Sequence, residues 1–343
     1  MLIGRKDRWT MSDTIRIGAI GSGGNARSHM RRLSAIKGVE LVGITDPSED
    51  AIEAAFEQIE GAKKLPTFAD HKKMLEEVEM DAVMISTPHT LHYDQIMDCF
   101  LADLHILCEK PMVCNTTHAK RVIETWKKSG KVMCVSYQRH TTAAFRYCRE
   151  KIVSGEMGDV VFINALQSQN WFQRQVKGET WRSKMKWSGG GQLNDSGSHL
   201  IDIVLWMSDL QPMEVFAYQD RMGSEVDIIS AIDVKYEDGA TSTFSIVGYQ
   251  SWPGMFEETT IWLEDGMLAI RDGAVWEWED EKEKKVVTGA DLGRTWPPDE
   301  NFIKAIRGEE EIQSTPEDAL KVIQLSEAAW ASAESGKPEA VKR

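Results

Sequence analysis

The 343-residue chain has no apolar run approaching the ~18 residues needed to span a bilayer. Its opening, MLIGRKDRWT, has basic residues but no apolar core segment, so it does not read as a secretory signal. Cysteine is scarce. Cys99, Cys108, Cys114, Cys134 and Cys148 all fall in the first half, and none is spaced C-x-x-C. Neither a zinc knuckle nor a disulfide framework is indicated, and no metal site is expected; buried free thiols in a reducing cytoplasm are the simplest reading. Positive charge is also short, with 40 basic against 54 acidic residues and a net charge of −14. That argues against a general nucleic-acid or anionic-membrane partner, although a local site can still oppose the net field and hold an anion. Internal repeats and low-complexity segments are missing.

What the chain does have is alternation. The length suits about two domains at ~150 residues each. After an N-terminal extension of residues 1–13, apolar strand-like runs alternate with amphipathic helical stretches to about residue 138. Strands are expected at Ile15–Ile20, Val39–Ile44, Ala82–Ile85, His105–Cys108 and Val132–Ser136. Helices are expected from Ser48 to Gln58, His71 to Val78, Thr90 to Ala102 and Thr116 to Lys128. This alternation implies an α/β domain, residues 14–138, with a doubly wound parallel sheet. Residues 139–343 read differently, as an α+β domain. Apolar and polar residues alternate in Ile232–Tyr236, and Asp-Gly pairs at Asp238–Gly239, Asp265–Gly266 and Asp272–Gly273 suggest hairpins of a mainly antiparallel sheet with helices on one side. The charged run Glu277–Lys285 reads as a solvated strand end or turn. Thr315-Pro316-Glu317-Asp318 opens a final helix that Gly336 stops.

The most informative stretch is Ile15 to Asp46. A strand runs into Gly21-Ser22-Gly23-Gly24-Asn25-Ala26, then a helix, then a second strand ending at Asp46. Gly21 permits the tight turn, Gly23 lets the backbone approach a pyrophosphate, and Ala26 lets the helix pack on the strand. Free N–H groups at the helix start attract the anion. Asp46 lies 25 residues after Gly21, where a carboxylate accepts hydrogen bonds from a ribose. No arginine or lysine lies between Ile44 and Phe56 to neutralise a 2′-phosphate, so NAD is expected in preference to NADP.

Three further constellations follow strands or open helices. Thr87-Pro88-His89-Thr90-Leu91-His92 and Glu109-Lys110-Pro111 lie at carboxyl ends of expected parallel strands, where open α/β sheets bind ligands. The third is Gly189-Gly190-Gly191 leading to Asp195 and His199, which are four apart and would share a helix face. Three consecutive glycines imply close approach of backbone to a ligand or a strand. Asp202 lies deeper in that helix, where a structural role suits it better. Gln138 and Arg139 fall just past the last strand of the first domain. Trp171, Phe172, Trp181, Arg182 and Trp187 flank the glycine run, where aromatic faces suit sugar rings and arginine suits hydroxyls or a carboxylate. For any one tryptophan, a place in the sheet core is an equally good reading.

From Thr14 to Val341 these motifs together resemble the Gfo/Idh/MocA family of nicotinamide-dependent sugar and cyclitol oxidoreductases. The resemblance rests on Gly21, Gly23, Ala26, Asp46, Thr87-Pro88 with His92, Glu109-Lys110-Pro111, Gly189 to His199, and Ser332-Ala333 with Gly336. It implies a Rossmann domain, an open-faced antiparallel sheet, and a homodimer or homotetramer formed through that face, where Trp262, Ile270, Trp276 and Trp278 are expected. It implies NAD contacts from the glycine turn, including Gly24 and Asn25, and from Thr87, Pro88, His89, His92, Glu109, Lys110 and Gln138. It also implies a catalytic set of Lys110, Asp195 and His199 and a cis bond before Pro111. Arg139, Trp171, Trp181 and Arg182 complete the expected substrate surface. His89 departs from the family, which commonly has asparagine there.

The expected reaction is hydride transfer between nicotinamide and a secondary hydroxyl of a sugar, glycoside or cyclitol. With no second phosphate-binding glycine loop, an uncharged or weakly charged cyclic polyol is expected rather than a nucleotide sugar or an open-chain acid. Two alternatives stand beside this. One is a glycoside-processing enzyme that oxidises transiently and eliminates; its usual glycine-histidine loop is not apparent. The other is a non-catalytic dinucleotide-sensing regulator, which would need none of Lys110, Asp195 and His199.

Overall fold

The computed structural model describes residues 14–279 and 283–342; the expected extension, residues 1–13, lies outside them. The first half forms a parallel sheet of β1 (Ile15–Ile20), β2 (Val39–Thr45), β3 (Thr67–Phe68), β4 (Ala82–Ile85), β5 (His105–Cys108) and β6 (Met133–Val135), in the order β3-β2-β1-β4-β5-β6. The order reverses at β1, and the crevice outside the carboxyl ends of β1 and β4 is where such sheets take ligands. Helices α1 (Gly24–Ser34), α2 (Glu49–Gln58), α3 (His71–Glu77), α4 (His92–Leu101) and α5 (Thr116–Ser129) connect the strands. One face of the sheet buries Ala26, Met30 and Leu33 of α1; the other buries Met74, Ile96, Phe100 and Val122.

The second half contains α6 (Ala143–Val153), β7 (Val160–Gln169), a short α7 (Met185–Ser188), α8 (Ser198–Ser208), then β8 (Pro212–Asp220), β9 (Ile229–Tyr236), β10 (Thr241–Val247), β11 (Met255–Leu263), β12 (Gly266–Arg271), β13 (Ala274–Glu279) and β14 (Glu283–Val287). It closes with α9 (Pro298–Ile306), α10 (Pro316–Ser335) and β15 (Glu339–Ala340). The strands form one sheet, β14-β13-β12-β11-β7-β10-β9-β8-β15, antiparallel throughout except for the parallel pair β7–β10 at its centre. Helices α6, α8 and α10 cover one face. Thr315 and Asp318 form the expected capping box, and Gly336 ends α10 in the left-handed region.

Several local expectations need correction. Of the three Asp-Gly pairs, only Asp272–Gly273 places both residues at positive φ, 51° and 77°, as a tight two-residue hairpin requires. Gly266 is instead the first residue of β12, and the turn before it is Glu264–Asp265. Glu277 is not solvated: it is 2% exposed, pairs with the Tyr147 hydroxyl, and lies 3.4 Å from Lys151. Residues 280–282 of that charged run lie outside the described residues. Ile270 faces the core beside Val275, because the two are directly paired across β12 and β13; Trp276 and Trp278 alternate to the opposite face. Finally, α9 belongs to the first half by packing: Phe302, Ile303 and Ile306 bury against β1 and α1.

Candidate active site

Two cavities meet at the carboxyl ends of the parallel strands. The first, about 990 Å³, is lined by Gly21, Gly23, Gly24, Asn25, Asp46, Thr87, Pro88, His89, Glu109, Lys110 and Trp181, among others. Gly21 has φ 99°, and a Cβ there would come within 2.3 Å of the Ser86 carbonyl oxygen, so this position takes only glycine without strain. Gly23 begins α1 with no side-chain cap, which leaves the first-turn N–H groups to an anion; a Cβ on Gly23 or Gly24 would meet nothing, so the cradle is open. Asp46 accepts N–H bonds from Ser22 at 2.8 Å and Ser48 at 3.0 Å, which fixes its carboxylate beside the glycine turn. These features fit a dinucleotide: pyrophosphate at the start of α1, a ribose at Asp46.

The second cavity, about 740 Å³, is lined by Lys110, Gln138, Trp171, Arg174, Arg182, Asp195 and His199, and shares Asn25, Glu109, Lys110 and Arg182 with the first. Lys110 is the centre of the junction. It follows β5, its bond to Pro111 is cis, and it is 6% exposed. Its Nζ donates to Asp195 Oδ1 at 2.9 Å and to the Asp195 carbonyl at 3.0 Å. The other carboxylate oxygen of Asp195 accepts from Trp171 Nε1 at 2.8 Å and lies 3.2 Å from Arg182 Nε. Burial alone would raise the Asp195 carboxyl, but Lys110, Arg182 and His89 hold it well below the usual carboxylate range.

Asp195 sits in a wide π-helical turn, Leu193–Gly197, and His199 in the first turn of α8. Burial, then the charges of Lys110 and Arg139, push the His199 imidazolium well down, so the ring is neutral near neutral pH. Its Nδ1 is buried without a hydrogen-bond partner among the described residues, and its ring packs edge-on against Tyr137.

His89 reaches the junction as well. Its Nδ1 lies 3.0 Å from the Ser188 carbonyl and its Nε2 4.0 Å from Asp195, with Trp181 packed edge-on against the ring. Burial above all lowers its pKa well below the ordinary value. His92 lines neither cavity. It is fully buried, with Nδ1 2.8 Å from the Pro111 carbonyl and Nε2 3.1 Å from that of Thr87, so it ties the two loops together. Arg139 also lies away from both linings, ion-paired with Glu257 under the sheet. Trp187 lines the dinucleotide groove, and Phe172 packs in a small core with Trp171 and Val226.

The glycine run serves packing. A Cβ on Gly191 would fall 2.0 Å from the Asp227 carbonyl oxygen, so only glycine lets these backbones approach. The buried Asp227 carboxylate, which sequence gave no reason to single out, accepts from the N–H groups of Gly191 and Leu193 and from Trp330. Asp202 pairs with buried His140 at 2.9 Å, in keeping with a structural role.

A further network escaped sequence reading. His29 of α1 contacts Glu109 at 2.8 Å through Nε2 and Asp299 of α9 at 2.7 Å through Nδ1, and Asp299 also holds Arg32 at 2.6 Å. Burial opposes the charge on His29, but Asp299 and Glu109 raise its pKa to about 9. Only the three-residue spacing of His29 and Arg32 was local; Asp299 is 270 residues from His29.

The profile described as an oxidoreductase family with an NAD-binding Rossmann fold, GFO_IDH_MocA, matches residues 15–137, and that of the GFO/IDH/MocA C-terminal domain matches residues 145–269. Among curated relatives, the 4-carboxy-2-hydroxymuconate-6-semialdehyde dehydrogenase of a Sphingobium species is 28% identical over 68% of this chain and 71% of that protein. Inositol 2-dehydrogenase 3 of Saccharopolyspora erythraea is 23% identical over 65% and 68%. The crystal structure of the WlbA dehydrogenase from Bordetella pertussis, in complex with NADH and UDP-GlcNAcA, superposes with a TM-score of 0.83 at 23% identity, covering 96% of this chain and 99% of that one. The fold and the matched profiles define an NAD-binding oxidoreductase. The chain belongs to the Gfo/Idh/MocA family. Among the described residues no helix is long and apolar enough to cross a membrane.

Proposed function

We propose that this protein is an NAD-dependent dehydrogenase acting on a secondary hydroxyl of a sugar, glycoside or cyclitol, with Lys110, Asp195 and His199 as its catalytic set. The observation that carries this reading is the position of Lys110 on the shared wall of the two cavities, held by Asp195 and facing the cavity that His199 lines. Bound nicotinamide supplies the hydride acceptor or donor. Asp195 takes two of the three Lys110 ammonium donors through its backbone and side-chain oxygens. The third is left to hydrogen-bond a substrate oxygen and stabilise developing alkoxide charge. Neutral His199 removes the hydroxyl proton. Arg182, stacked on Trp181 at 4.3 Å, reaches the second cavity and offers a donor to a ring there, whereas Trp181 itself lines the first.

Residues 14–138 serve in this reading as the dinucleotide-binding domain, and residues 139–343 for substrate and self-association. Following NADH absorbance at 340 nm (a property of the coenzyme) with hexoses, glycosides and inositols tests the activity. Net reduction of NAD supports a dehydrogenase. Consumption of a glycoside without net reduction points to transient oxidation, and binding without turnover points to a sensor. NAD is preferred over NADP because Asp46 is fixed where a 2′-phosphate would meet a carboxylate. Asp46→Ala is expected to narrow the ratio of kcat/KM values for the two coenzymes, and equal use of both by the wild type would refute the preference.

A further inference from the structure

We propose that Arg174 and Arg182 form an anion subsite in the 740 Å³ cavity, so that the sugar or cyclitol taken there carries a carboxylate or phosphate group. This rests on the dehydrogenase reading and goes beyond the uncharged or weakly charged cyclic polyol expected from sequence. The argument is one of unpaired charge. Of the cations lining the cavity, His29 and Arg32 are neutralised by Asp299 and Glu109 together, and Lys110 is committed to Asp195. Arg182 meets Asp195 through Nε and has no second carboxylate partner among the described residues. Arg174 has no carboxylate within salt-bridge distance among them. The acids of the lining, Glu109 and Asp195, are already occupied by His29 and by Lys110 with Arg182. The cavity therefore holds more positive charge than its own acids offset.

The surrounding segment strengthens this. Residues 171–187 carry Arg174, Lys177, Arg182, Lys184 and Lys186 against the single acid Glu179, within a chain of net charge −14; Lys184 pairs with Glu225 at 3.7 Å, and of the five Arg174 and Arg182 line the cavity. Two arginines facing one cavity of an acidic protein focus field at one place, which attracts an anionic ligand there and nowhere general. Guanidinium groups suit the planar fork of a carboxylate and the oxygens of a phosphate. Arg182 lines both cavities, so it alone could serve the coenzyme. Arg174 lines only the substrate side, which makes it the discriminating residue.

The test is calorimetric titration of the NADH-saturated protein with glucose, glucuronate and glucose 6-phosphate at low salt. At least one anion should bind about tenfold or more tightly than glucose, the scale of one charge-assisted hydrogen bond. Arg174→Gln should remove most of that gap while leaving NADH affinity unchanged. Preference for glucuronate over the phosphate, or the reverse, identifies the oxyanion. Equal affinity for all three probes, no detectable binding of either anion, or a gap that survives Arg174→Gln overturns the proposal. Loss of NADH affinity in that variant also overturns it, because it assigns Arg174 to the coenzyme. Turnover of neutral polyols that depends on Lys110 would sink the anion subsite and leave the dehydrogenase reading intact. Anion binding without any turnover would do the reverse.

Discussion

Replacing Lys110 with methionine keeps the length of the side chain and removes its charge and donors. The structure sets the size of the effect. In the wild type Lys110 is 6% exposed and its ammonium makes two bonds to Asp195, at 2.9 and 3.0 Å. Losing the remaining donor to the reacting oxygen should lower kcat by roughly 10²- to 10³-fold, the measured range for one oxyanion donor. KM should change little if that donor acts mainly as charge develops. Stability should fall too. A buried ion pair that loses one partner commonly costs about 3–5 kcal/mol. Here the cost should lie at or below the low end, because Trp171 and Arg182 still satisfy Asp195. Steady-state kinetics, NADH titration and thermal melts separate these effects. NADH affinity should persist, since the glycine turn and Asp46 are untouched. Near-wild-type kcat, or a loss confined to KM, would refute the role given to Lys110.

His199→Ala should reduce turnover by about 10²-fold or more, as loss of a general base does. Burial, Lys110 and Arg139 hold the imidazole neutral to well below its ordinary pKa, so kcat/KM should stay flat on acidification through about pH 6.5; a fall centred there would contradict the assignment. His29 behaves oppositely. Its pKa rises to about 9 in the fold, so the stability it adds is complete below about pH 6.5 and is lost as pH climbs toward 9. Thermal midpoints should fall over that window, and His29→Gln should flatten the trend; an unchanged slope would exclude the network as its source. The protein should also be a homodimer or homotetramer. Trp278, Met267, Trp262 and Phe162 align across four neighbouring strands on the face opposite the helices. Sedimentation as a monomer at micromolar concentration would count against this.

The first sheet was readable because its signals are local. Apolar runs of four to seven residues, a glycine at the turn, and side-chain caps at Ser48, Asp70 and Asn115 act over one or two turns of chain. The Asp272–Gly273 hairpin was readable for the same reason, since two positive φ angles demand those residues. Gly266 looked identical in sequence, yet it pairs with Glu279 in the sheet, and a Cβ there would fall 2.4 Å from Met157 Cε and 2.5 Å from the Trp278 carbonyl oxygen, contacts that packing alone creates. Ile270 and Glu277 went astray because period-2 alternation gives two faces without saying which is covered.

The chain by itself determined the family, the dinucleotide turn and the residue types at Lys110, Asp195 and His199, because each motif is short and constrained by backbone geometry. Only the tertiary structure decided what those residues touch. It joined Lys110 to Asp195 across 85 positions, set Asp299 against His29 across 270, and sent His92 and Arg139 into supporting contacts instead of the cavities. Among the described residues it also left Arg174 without a carboxylate partner beside the second cavity. Charge pairing depends on distance in space, and packing brings together groups whose separation along the chain carries no information about that distance.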